Sequence, residues 1–174
     1  MGCYGLSGRR ESGVKKDFTR DYATEAFRLY AAMGKLSVKD IEKNIEDEAN
    51  RESGAQPEVA YFIKKNKTEK MMPLLLDVMA VEKTIEILEV GGKMHIVRAV
   101  ADVYFVQPAQ PLRRGDITMR VRRHSLTAFV SERNVYLWLK QARLLFASLR
   151  GLRISDGDAE KIKFAVVDYN NMIQ

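Results

Sequence analysis

Apolar residues recur three and four positions apart along most of this chain, so the pattern predicts a protein built of helices. Tyr22, Ala26, Phe27, Tyr30 and Met33 mark a first helix over about Thr19 to Met33, ended by Gly34. Ser37-Val38-Lys39-Asp40 has the form of a capping box. The helix it opens carries Val38, Ile41, Ile45 and Ala49 on one face and a dense charged face opposite. These two helices read as an N-terminal hairpin. Ser53 to Pro57 is a break. Glu58 to Ile63 is short and mostly apolar, with Val59, Tyr61 and Ile63 alternating; helix is the favoured reading. Lys64-Lys65-Asn66-Lys67 reads as a solvated linker.

The periodicity strengthens towards the C-terminus. Leu74, Val78, Val81, Ile85 and Leu88 form a seam over Pro73 to Val90, with Pro73 expected in the first turn, where its missing N–H is not needed. The seam fits bundle core and leaves a homodimer contact open. Gly91-Gly92 stops this helix. Lys93 to Val106 follows, with Ile96, Val100, Val103 and Tyr104 facing inward and Pro108 and Pro111 beyond its end. Asp116 is expected to cap a helix with Ile117 and Val121 inward, and a turn is expected over about His124 to Val130. Ser131 then caps a helix with Val135, Trp138, Leu139, Ala142, Leu145, Phe146 and Leu149 in one stripe, terminated by Gly151. Ser155 to Asp158 offers another capping box, followed by a last helix with Ile162, Ala165, Val166 and Tyr169 inward.

The fold class that follows is all-α: a helical bundle with an N-terminal helical hairpin and a C-terminal helix-turn-helix. The division is a Gly-rich basic arm over 1–16, an N-terminal helical region over 17–67, a helix-turn-helix domain over 68–153 and a C-terminal helix over 154–174.

Charge sharpens this picture. The net charge is +6. Between Pro111 and Arg153 stand ten Lys and Arg against two acids, Asp116 and Glu132, which makes that segment +8 and the remainder −2. Such asymmetry points to a polyanionic partner for that segment. No apolar run is long enough for a membrane span, and no apolar signal core opens the chain, so a cytoplasmic protein without a membrane partner is expected.

Candidate chemistry is sparse. Cys3 is the single cysteine, which excludes a disulfide within the chain. His95 and His124 lack carboxylates or thiols at metal-ligand spacing, so no metal is expected, and both read as solvated or phosphate-contacting. Gly91-Gly92-Lys93 is not a phosphate loop, because Ile87 and Met94 stand where Gly and Ser or Thr are needed. Glu46, Asp47 and Glu48 are adjacent in sequence and so point apart on a helix. No catalytic constellation can be assembled and no cofactor is implied.

The Ser131 helix is the element with functional character. With its stripe buried, Arg133, Asn134, Tyr136, Leu137, Lys140, Gln141 and Arg143 point outward. In a helix-turn-helix the N-terminal residues of the second helix meet base edges in the major groove. Arg can make two hydrogen bonds to guanine, and Asn or Gln two to adenine. Arg133, Asn134, Tyr136, Leu137, Lys140 and Gln141 are therefore the candidate base contacts. Arg113, Arg114, Arg120, Arg122, Arg123, Ser131 and Arg143 are the candidate phosphate contacts that set register.

From Glu82 to Gly151 the chain resembles region four of sigma-70-type sigma factors, and within that group the phage late-gene transcription regulators of the RinA and ArpU type. The residues that match are Gly115-Asp116-Ile117, opening the first motif helix, and Val130 to Leu139, opening the second, with Ala142-Arg143 after them. The resemblance implies a sequence-specific, double-stranded-DNA-binding transcription regulator, with RNA polymerase as a further partner. The chain departs from the pattern in one place. Val121 and Val135 lie fourteen positions apart, where the inward anchors of such helix pairs usually lie about ten apart. Either the turn is longer or the first helix extends by a turn. The alternative reading is a phage structural, packaging or adaptor module, similar to a terminase small subunit, for which the Leu74–Leu88 seam is the best support.

Overall fold

A computed structural model describes residues 17–54, 56–106, 112–155, 157–160 and 162. Six helices follow in order: α1 (Phe18–Ala32), α2 (Val38–Glu52), α3 (Pro57–Val90), α4 (Met94–Val103), α5 (Asp116–Ala128) and α6 (Glu132–Arg150). A helical turn covers 157–160, and there is no strand among the described residues. The arm over 1–16, Pro108, Pro111 and the inward positions Ala165, Val166 and Tyr169 lie outside the described residues.

The first two helices follow their capping signals. The Asp17 carboxylate accepts from the Arg20 N–H at the start of α1, and Ser37 and Asp40 complete the reciprocal box at the start of α2. Ile41, Ile45 and Ala49 are the buried residues of α2. Ile41 and Ile45 form a small apolar cluster with Leu75 and Val78 of α3, so α2 packs along α3.

The expected linker at 64–67 is instead interior to α3. The lysines there are one face of a helix, and the acidic face of α2 lies opposite. Lys64 pairs with Glu46 at 2.9 Å, and Lys67 reaches both Glu48 and Glu52. Pro73 is correspondingly not in a first turn. It lies inside α3, where it removes one backbone donor from the helical ladder. Its ring is exposed, so the Glu69 carbonyl faces water rather than a dry interior.

The main core is built by the other helices. Phe27 of α1, Val81 and Leu88 of α3, Ile96, Val100 and Val103 of α4, Val121 of α5 and Val135, Leu139, Ala142 and Phe146 of α6 pack as one cluster with Tyr104. Phe27 is its centre, stacked on Tyr104 at 5.7 Å and tilted against Phe146 at 5.6 Å. The apolar face of α1 thus belongs to the same core as α5 and α6. The Leu74–Leu88 seam is used within the chain: Val78, Val81 and Leu88 are buried, and Leu74 and Ile85 half-buried. A polar tie crosses the bundle, in which Tyr22 donates to the Asp77 carboxylate and Arg150 pairs with it at 2.6 Å.

Other boundaries shift by a few residues. α4 ends at Val103, with Tyr104 as its buried cap, rather than reaching Val106. Gly115, in a left-handed conformation, is the N-cap of α5, and Asp116 is the first helical residue; its carboxylate accepts from the Arg113 N–H behind it.

Pro73→Ala restores a backbone hydrogen bond at an exposed helical position. It is expected to raise stability by about 1–3 kcal/mol, the scale of a proline in a helix interior. Thermal unfolding followed by circular dichroism checks it, and an unchanged midpoint would mean that α3 is already broken there.

Candidate nucleic-acid interface

α5 and α6 are joined by a short turn of Phe129, Val130 and the cap Ser131. α5 runs on to Ala128, so the expected turn over His124–Val130 is mostly helix. The long Val121-to-Val135 spacing is therefore accommodated by an extra turn of α5. The helix closes with Phe129 in a left-handed conformation (φ 54°), and the N–H groups of Phe129 and Val130 both bond to the Ser125 carbonyl. Val130 packs against the core, and the Ser131 hydroxyl accepts from the Asn134 N–H at 3.2 Å to open α6. Glu132 sits in the first turn, where the helix dipole favours an acid.

This register decides which face of α6 is free. Val135, Leu139 and Ala142 are 0% exposed, and Trp138 is half-buried. Arg133, Asn134, Tyr136, Leu137, Lys140 and Gln141, the six expected base contacts, are all exposed. They are not equally available. The side chains of Arg133, Asn134 and Gln141 make no hydrogen bond among the described residues. The Tyr136 hydroxyl leans back to Thr118 at 3.4 Å. Lys140 is ion-paired to Asp158 at 3.0 Å, so the segment after α6 reaches the middle of its outer face.

The expected phosphate contacts divide further. Arg114, Arg122 and Arg123 are exposed on α5 and its approach. Arg113 is exposed as well, and its backbone N–H is held by Asp116. Ser131 is exposed at the cap. Arg120 is turned inward, donating to the Val103 carbonyl at 3.1 Å and so satisfying the C-terminal end of α4. Arg143 is half-buried and donates to the Tyr104 hydroxyl at 2.8 Å. The exposed arginines thus lie on α5, the helix that leads into α6, and on its approach.

His124 is a correction. It is neither solvated nor in a turn; it lies on α5 and is buried, with Nδ1 2.6 Å from the Asp102 carboxylate of α4. Its ring meets the edge of Trp138, whose other neighbour is the exposed His95, 4.8 Å away. The signal was its place three residues after Val121, on the buried face of α5, masked by Arg122 and Arg123 between them. His124 therefore ties α4, α5 and α6 together.

Sequence reasoning also missed Phe129. Its side chain is 94% exposed, and Leu126, one turn earlier on α5, is 69% exposed. Among the described residues no group of three or more His, Cys, Asp or Glu could hold a metal ion, and no helix is long and apolar enough to cross a membrane. Comparison with protein-family models, curated proteins and solved structures finds no match to this chain.

Two substitutions test the local architecture. Asp102→Ala strands a buried imidazole N–H and is expected to cost about 1–3 kcal/mol. Phe129→Gly relieves a β-carbon in the left-handed region (~1–2 kcal/mol) against the greater chain entropy of glycine (~0.5–1 kcal/mol), for an expected net gain of about 0.5–1 kcal/mol. Urea midpoints of the two variants should move in opposite directions.

Proposed function

We propose that this protein is a sequence-specific, DNA-binding transcription regulator that reads the major groove with the N-terminal end of α6. The observation that supports this most is the exposure of Arg133 and Asn134 at the capped start of that helix, beside the open cations Arg114, Arg122 and Arg123. The first pair has the donors and acceptors to distinguish guanine and adenine; the second set suits phosphates on either side. Leu137 and Gln141 extend the reading surface by one and two turns, and Lys140 joins it when a phosphate or base edge displaces Asp158. Contact with RNA polymerase, a cytoplasmic location and the absence of catalysis or a cofactor belong to this reading. The interaction-module reading and the homodimer lose their main argument, because the Leu74–Leu88 seam is occupied within the chain.

Selection from a random duplex pool supplies the target, and fluorescence anisotropy on that duplex and on a scrambled one supplies the test. Arg133→Ala and Asn134→Ala should each cost about 1–3 kcal/mol of discrimination at one base pair. Arg122→Ala should weaken both duplexes alike and lower the salt slope by about one. Equal losses on both duplexes for all three variants would remove base readout from α6.

A further inference from the structure

Phe129 has two unfavourable features. It occupies the position after α5 where glycine is customary, with a bulky side chain in the left-handed region (φ 54°). Its ring makes no aromatic contact among those observed and stands 94% exposed. Strain retained where the fold does not need the residue points to a role outside the fold. The ring's position is specific: it lies two residues before the Ser131 cap and four before Arg133, at the end of α6 proposed to enter the groove. From Thr118 to Leu137 the exposed charged side chains are Arg122, Arg123 and Arg133 against one acid, Glu132; Arg120 is turned inward to the Val103 carbonyl and His124 is buried. The surface around the ring is therefore basic. The major groove of DNA is anionic at its walls and offers one apolar feature, the C5-methyl of thymine.

We propose that Phe129 is a specificity-determining residue whose ring packs on a thymine C5-methyl beside the base pair read by Arg133. This rests on the DNA-binding reading of α6 and adds a contact that hydrogen bonding cannot supply. Guanine, adenine and cytosine lack the methyl group, so the contact selects thymine at one position of the site.

The test uses the full chain and the duplex recovered by selection. Each thymine is replaced in turn by deoxyuridine, which removes the methyl and leaves the pairing edge unchanged. For the wild-type protein, one replacement should weaken binding about three- to tenfold, the scale of one buried methyl. Phe129→Gly and Phe129→Ala should lose a similar factor on the parent duplex and show no further loss at that thymine. Phe129→Gly should do so while being more stable than wild type, which separates lost contact from lost fold; Phe129→Ala keeps the β-carbon and controls for backbone freedom. Unchanged DNA affinity in both variants would overturn the proposal and turn the ring towards a protein partner. A loss in the variants that no deoxyuridine reproduces would also overturn it. Failure of the DNA reading is distinguishable, because wild-type protein would then show no preference between the selected and scrambled duplexes.

Discussion

Burial of one side of α6 is the constraint on which the rest of the structure depends. Val135, Leu139, Ala142 and Phe146 are withdrawn from water against α1, α3, α4 and α5, and each such side chain contributes on the order of 1–3 kcal/mol when fully buried. The helix cannot rotate without exposing part of that stripe. Its opposite face is therefore determined by elimination: Arg133, Asn134, Leu137, Lys140 and Gln141 are outward because turning the helix would expose the apolar stripe and bury Arg133 and Lys140 without partners. Phe27 and Tyr104 complete the seat for Phe146, so α1 helps to hold the orientation of a helix more than a hundred residues later in the chain.

The second determinant is the angle between α5 and α6, set by a short turn and a buried polar contact rather than by the turn alone. Val130 anchors the turn against the core, and Val121 and Val135 anchor the helices on either side of it. His124, inserted between Asp102 and Trp138, adds a directional restraint, because its Nδ1 contact at 2.6 Å restricts rotation of α5 about its axis. The restraint lies directly beneath Arg122 and Arg123, so the same helical turn that holds α5 in place presents its two open guanidinium groups.

Much of this was legible in the chain, and the exceptions have physical causes. The stripe of α6, the Ser131 cap and the Ser37–Asp40 box depend on local spacing and chemistry, which a linear pattern records. The run at 64–67 looked like a linker because its lysines lack an apolar period; their partners, Glu46, Glu48 and Glu52, lie on α2 and become visible only when the hairpin closes. Pro73 looked like a helix start for a related reason: local preference favours the first turn, and packing of Leu75 and Val78 against α2 outweighed it. Arg120 and Arg143 looked like surface cations. Their inward turns depend on the helix-end carbonyl of Val103 and the phenol of Tyr104, neither of which sequence spacing reveals.

Energy is distributed unevenly along α3. Near its start α3 is held to α2 largely by exposed ion pairs, each worth at most about 1 kcal/mol, while α3 near Val81 and Leu88 lies in the main core. Between them, the Asp77 carboxylate takes the Tyr22 hydroxyl and the Arg150 guanidinium together. Burial and the bond to Asp77 push the Tyr22 phenol above its ordinary range, and the same carboxylate raises Arg150. That half-buried triad links α1, α3 and the last turn of α6 at the boundary between the weakly and strongly held parts. The exposed Tyr61 and Phe62 lie on the weakly held part of α3, on the far side of that triad from the face of α6.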